Sequence, residues 1–207
     1  MEKISGALRR AKSTRAIVVI HEWWGVNANI EAVCDRIARH GYTALAPDLY
    51  HSVTATTPER ANELMSQLNF SRAVEEIRAA GRQLKEHEGM DEVHVLGFCM
   101  GGALTLLTAL QTTEFSKAVF FYGIPPRAAG DLSRIRIPVL GHFANQDDWC
   151  TPTSVDELER EFSEGKVPSE IHRYEAAHAF ANERRPEVHD PAAAELAWKR
   201  TFDFLAR

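Results

Sequence analysis

Cys99 stands in "GFCMGG" (97–102), with Gly97 and Gly101 two residues to either side of it. A thiol becomes a strong nucleophile when it ionises. A helix start favours that state, because its unpaired NH groups and dipole stabilise negative charge. The apolar "DEVHVL" ahead of the motif and "ALTLLTALQ" behind it read as a strand that turns directly into a helix. Such a turn forces its apex residue into an unfavourable backbone conformation, and only small neighbours leave room for it. The spacing therefore predicts Cys99 above the end of a strand, where the helix start favours thiolate over thiol but leaves the resting form of the sulfur open, with the NH of Met100 placed to receive an oxyanion. A nucleophile of this kind works with a base and with a carboxylate that orients the base. His178 lies among Ala176, Ala177 and Ala179, whose small side chains leave an imidazole room to reach across, and Asp147 and Asp148 follow in "ANQDDW".

The elements that must carry these residues are legible as short β-branched and aromatic runs at 16–20, 43–47, 92–98, 117–123, 137–143 and 170–176. They are apolar on successive residues, which suits strands covered on both faces. Helical patterns fall between them. Ile30, Val33, Ile37 and Ala38 recur at helical spacing before Gly41, and Cys34 beside that stripe reads as a small buried hydrophobe. Thr57 and Pro58 open one or two helices over 58–88, and 101–111, 152–163 and 189–206 continue the alternation. Alternating strands and helices predict an α/β fold, a mostly parallel central sheet with helices on both faces, as one domain over 1–207. Ligands collect beyond the carboxyl ends of such strands. The residues just after them are "HEWWG", "GFCMGG", "YG" with Tyr122, "ANQDDW" and "AAHAF". Nucleophile, acid and base then run Cys, Asp, His, each after its own strand, which is the chain order of α/β-hydrolases.

Composition excludes several other roles. A chain of 207 residues with 44% hydrophobic content supplies one sizeable core, and a net charge of -5 with scattered Lys and Arg argues against nucleic acid as a partner. The longest apolar run near the start is "AIVVI", and the polar "MEKISGALRRAKSTR" before it lacks the apolar centre of a signal peptide. The expectation is a cytoplasmic chain with no membrane partner and reduced Cys34, Cys99 and Cys150, acting as a monomer or small homo-oligomer. No metal or organic cofactor is implied. "HE" at 21–22 is not a zinc motif, since position 25 is glycine where HExxH needs histidine, and His21 reads as a structural hydrogen-bonder. His142 reads as a satisfied core residue, with His172 and His189 solvated.

Taken together, "VVIHEWWGVNANIEAVCDRIARHGYTALAPDLY", "GFCMGG", "GHFANQDDW" and "HAFANERRPEVHDPAAAELAWKRTFDFL" make the chain similar to the dienelactone hydrolases, or carboxymethylenebutenolidases. The resemblance implies the α/β-hydrolase fold and a triad of Cys99 nucleophile, His178 base and Asp147, with Asp148 the rival acid. It implies that the NH of Trp23 completes an oxyanion hole with that of Met100. Glu22 would be the family's glutamate beside the resting thiol, able to gate it. Two arginines are expected to anchor a substrate carboxylate. Arg60 is the candidate for one, and Asn182 occupies the expected position of the other, four residues after His178. Family members also usually carry more strand-forming sequence before "VVIHE", so the sheet is expected to be short of strands there. Trp23, Trp24, Trp149, Phe98 and Tyr122 are expected near the strand ends, each either a core residue or part of an apolar wall suited to a small ester or lactone. The expected activity is cysteine-dependent ester or lactone hydrolysis. A redox-sensing or glutamine-amidotransferase-like cysteine protein, and a non-catalytic binder on a hydrolase fold, are the alternatives.

Overall fold

The computed structural model describes residues 5–207. Its strands and helices are β1 (Gly6–Arg9), β2 (Arg15–Ile20), α1 (Ala28–Arg39), β3 (Thr43–Pro47), α2 (Pro58–Gln67), α3 (Phe70–His87), β4 (Glu92–Phe98), α4 (Met100–Gln111), β5 (Ala118–Phe121), β6 (Val139–Gln146), α5 (Pro152–Gly165), β7 (Ser169–Ala177) and α6 (Pro191–Ala206). The strands form a seven-stranded sheet in the order β1-β3-β2-β4-β5-β6-β7. β1 runs antiparallel to β3, and every other pairing is parallel. All six strands expected from the sequence are present. β1 is additional. It has four residues and one fully inward side chain, Ala7, so composition gives no sign of it. The expected shortage of strands ahead of "VVIHE" is thus reduced by this antiparallel edge, while residues 1–4 of the polar leader lie outside the described residues.

Two apolar layers cover the sheet, and alternation along β2 divides them. Val18 and Ile20 pack with Val74 and Ile77 of α3, Leu104 and Leu107 of α4, and Leu158 and Phe162 of α5. Ile17 and Val19 point the other way, to Ile30, Val33 and Ile37 of α1 and to Ala197 and Trp198 of α6. Cys34 is fully buried in this second layer, where burial pushes its thiol up to about 12. The helix ends follow from their caps. Asn27 accepts hydrogen bonds from the NH groups of Asn29 and Ile30, Thr57 accepts from Arg60 ahead of α2, and Asn69 accepts from Arg72. The Asn69 cap starts a new helix and so divides 58–88 into two. α4 is buried on every side from Met100 to Ala109, and its buried hydroxyls are satisfied internally, Thr105 donating to Gly101 O and Thr108 to Leu104 O at 2.8 Å each. A helix apolar all round can only run through the middle of a fold, and this one carries Cys99 at its start.

Candidate active site

Cys99 joins β4 to α4 with φ 53° and ψ −118°, a conformation that L-residues seldom adopt. The turn is tight enough that a Cβ on Gly97 would collide with the Gly101 carbonyl, and one on Gly101 with the carbonyls of Ile20 and His21. Tyr122 and Ala179 also have positive φ, at 38° and 63°. All three residues line a single pocket of about 700 Å³ at the carboxyl ends of the strands. Strain at three loops that meet in one cavity makes that cavity the candidate site, while the other positive-φ residues His51, Ser52 and Lys166 lie outside its lining.

Three elements bring their side chains into hydrogen-bonding sequence there. His178 follows β7, and its Nε2 lies 3.3 Å from Cys99 Sγ. Its Nδ1 lies 2.7 Å from Asp147 Oδ2, beyond the end of β6. A carboxylate only accepts, so Nδ1 carries the proton and Nε2 is left facing the thiol. Asp147 is held in turn by the NH groups of Trp149 and Cys150, which donate to Oδ1 at 2.7 and 2.9 Å. Burial alone would raise this carboxyl. The hydrogen bond and charge of His178 and the two NH groups outweigh it and hold Asp147 below its ordinary value. Asp148 is exposed at the pocket rim, so the imidazole's partner is Asp147.

The sulfur is governed more by its burial than by the helix start. Burial, followed by the nearby carboxyl of Glu22, pushes the Cys99 thiol well above its ordinary range, while the NH of Met100 pulls weakly the other way. Burial and the Glu22 carboxyl both favour the protonated form of Cys99. The helix start favours the thiolate, but removal of solvent costs it more.

Glu22, on the loop after β2, is 3% exposed. Its Oε2 accepts a hydrogen bond from Asn182 Nδ2 at 2.6 Å, and Asn182 Oδ1 accepts from the NH of Arg184. Burial raises the Glu22 carboxyl to about 7, opposed by the charge of His178, the Asn182 bond and the charge of Arg185. The buried Tyr122 hydroxyl faces Glu22 without the alignment of a hydrogen bond. His21 fixes the loop from beneath. Its Nδ1 donates to Glu22 O at 2.6 Å, and its Nε2 accepts from the NH of Leu49 at 3.3 Å.

Trp23, Trp24, Tyr122 and Trp149 all line the pocket, joined by Met65 and Phe70 from α2 and α3. The structure resolves or corrects other expected positions. Phe98 is buried in the core against Phe121 and Trp198 and does not line the pocket. Arg60 lies on the exposed face of α2, paired with Glu63 at 2.6 Å, and is not part of the lining. A helical position fixes a direction, and this one points away. The cation in the lining is Arg185, which the sequence reading missed; it stands 5.8 Å over the Trp24 ring and pairs with Glu187 at 2.8 Å. The only signal for it was the doubled arginine in "NERRPE". His172 and His189 are half-buried rather than solvated. His142 is a satisfied core residue, bonded to Tyr174 Oη at 2.8 Å and to Thr201 Oγ1 at 3.0 Å. Among the described residues no cluster of His, Cys, Asp and Glu could hold a metal ion, and no helix is long and apolar enough to cross a membrane.

Known proteins resemble this chain along most of its length. "Protein usf" of Aquifex pyrophilus is 33% identical over 91% of this chain and 86% of its own length. A protein of Aquifex aeolicus named as a candidate carboxymethylenebutenolidase is 30% identical over 92% of this chain and 87% of its own. The crystal structure of a candidate dienelactone hydrolase from Klebsiella pneumoniae superposes with a TM-score of 0.86 at 26% identity, covering 96% of this chain and 90% of that one. The family model described as the dienelactone hydrolase family matches residues 4–207, and the chain, built on an α/β-hydrolase fold, belongs to that family.

Proposed function

We propose that this dienelactone hydrolase-like chain cleaves a small carboxylic ester or lactone through a thioester on Cys99. The observation that carries the reading is the unbroken series Cys99 Sγ, His178 Nε2 at 3.3 Å, then His178 Nδ1 to Asp147 Oδ2 at 2.7 Å. Because burial favours the protonated thiol, its proton passes to His178 Nε2 as sulfur attacks the carbonyl, and the adjacent Asp147 carboxylate stabilises the imidazolium. The oxyanion is received by the NH groups of Trp23 and Met100. Collapse expels the alcohol, which takes the proton from His178. Water activated by the same imidazole then opens the thioester, releasing the acid and restoring the thiol. For a lactone, alcohol and acid leave as one hydroxy acid.

Glu22 gates this sequence. Its carboxyl raises the Cys99 thiol when ionised, so a neutral Glu22, or one turned toward substrate, eases the attack. Asn182 brings no charge to the pocket, which argues against a paired guanidinium clamp for a substrate carboxylate. The shared sheet supports a reading of the chain as one catalytic domain acting on a small molecule. Cys99→Ala tests the mechanism on a panel of short-chain p-nitrophenyl esters and γ-lactones. Turnover is expected to fall by about 10⁴-fold or more with an unchanged melting temperature. Wild-type rates in the variant would reject Cys99 as nucleophile.

A further inference from the structure

Trp149 is 67% exposed, an unusual position for the largest apolar side chain in a chain whose other described tryptophans are more covered. Its backbone is nonetheless fixed, since its NH donates to Asp147 at 2.7 Å. The ring stands at the pocket between two others, with its centroid 5.9 Å from that of Trp23 in an edge arrangement and 6.3 Å from that of His178. Trp23 continues edge-on to Trp24 at 5.2 Å, and the Arg185 guanidinium lies over Trp24. One side of the mouth is thus a run of indoles whose outermost member, Trp149, keeps most of its surface in water.

The position beside His178 decides which part of a substrate meets that face. In the proposed reaction the alcohol oxygen takes its proton from His178 Nε2, so the group attached to that oxygen departs along the imidazole. Tyr122 flanks the same imidazole at 5.1 Å, but it is 1% exposed and cannot take up a departing group. Trp149 is the aromatic neighbour of His178 with a surface still open. We infer that Trp149 is a specificity-determining residue, a stacking platform for the alcohol portion of the ester, and that the enzyme favours esters whose alcohol side carries a flat aromatic ring. This rests on the hydrolase reading above and names the substrate class within it.

Two matched pairs separate stacking from general packing. Benzyl acetate and cyclohexylmethyl acetate differ in the flatness of the alcohol side while leaving as alkoxides of similar basicity. Methyl phenylacetate and methyl cyclohexylacetate present the same difference on the acyl side. The readout is the ratio of kcat/KM, flat over puckered, for each pair. Trp149→Leu is expected to lower the alcohol-side ratio by about threefold to tenfold, the range of an aromatic pair beyond its buried area, and to leave the acyl-side ratio unmoved. Trp149→Phe, which keeps a π-face, is expected to retain most of the alcohol-side preference. An alcohol-side ratio unchanged in Trp149→Leu, or both ratios falling together, overturns the platform while leaving the hydrolase intact. A wild-type enzyme that cleaves none of the four esters while turning over p-nitrophenyl esters or γ-lactones overturns the platform alone, and a Cys99→Ala variant that cleaves all of them undiminished overturns the Cys99 mechanism and the platform with it.

Discussion

Two carboxyl groups flank the thiol, Asp147 on the loop after β6 and Glu22 on the loop after β2, and both are 3% exposed. Both are nearly sealed from the surface, Glu22 the more deeply enclosed, and the results are opposite. Asp147 is held below its ordinary value, whereas Glu22 is raised to about 7. The difference lies in depth and in what faces each. Asp147 receives two backbone NH groups and the Nδ1–H of a base that becomes a cation during the proposed reaction. Glu22 receives one neutral amide, Asn182, with Arg185 and His178 contributing charge from further off. Burial penalises a carboxylate in proportion to the solvent removed, and only the number and charge of its donors decide whether the penalty is met. One carboxyl is thereby favoured in its ionised form beside the imidazole, and the other is shifted toward a change of state near neutrality.

The largest effect that would break this contrast is expected at Asp147. Asp147→Asn keeps the shape but lets the imidazole adopt the wrong tautomer, and kcat/KM on a short-chain ester is expected to drop by about 10³- to 10⁴-fold. Asp148→Asn, at the exposed rim, is expected to change it little. Equal losses in steady-state assays of the two variants would contradict the assignment of Asp147.

Next in size is the behaviour of Glu22 with pH. An unfolded glutamate ionises near 4.5, while the buried one keeps its proton to about 7. Between those values the folded chain binds more protons than the unfolded one, so stability falls as pH rises through the window. At about 1.4 kcal/mol per pH unit the loss is on the order of 3 kcal/mol by pH 8. Glu22→Gln removes it. The variant's melting temperature should exceed that of wild type at pH 8 by several degrees, and the gap should close toward pH 5. Asp147 works with the opposite sign, its contribution being present at neutral pH and lost on acidification. The same substitution should alter Cys99 alkylation by iodoacetamide, because ionising Glu22 above about pH 7 opposes the thiolate. The wild-type rate should rise less steeply above pH 7 than the Glu22→Gln rate. Superimposable profiles would mean that Glu22 does not gate the thiol.

Much of this was legible in the sequence, for identifiable reasons. Strands buried on both faces announce themselves as unbroken apolar runs, and Cys99, Asp147 and His178 each follow one directly, so the pleated sheet fixes which end they share. What was hidden depends on depth or direction. Four residues with one buried alanine did not reveal β1. Arg60 was misplaced because spacing gives a helical residue no heading relative to a cavity on another element, and Glu63 one turn on captures it. Arg185 was overlooked because its place in the lining depends on the fold of the 178–190 loop, where Val188 and His189 hydrogen-bond back to the Arg185 carbonyl. The sequence left the resting state of Cys99 open, because the burial that opposes the pull of the helix start is a property of the packed molecule.

The central claim is a covalent bond between substrate acyl group and Cys99. A bulky acyl donor, p-nitrophenyl trimethylacetate, slows the second half of the reaction, and acid quenching preserves a thioester for peptide mass mapping. The account predicts one trimethylacetyl group per chain on the peptide carrying Cys99, released by neutral hydroxylamine. Release of p-nitrophenol with the acyl group on any other residue, or with none on Cys99, would contradict it.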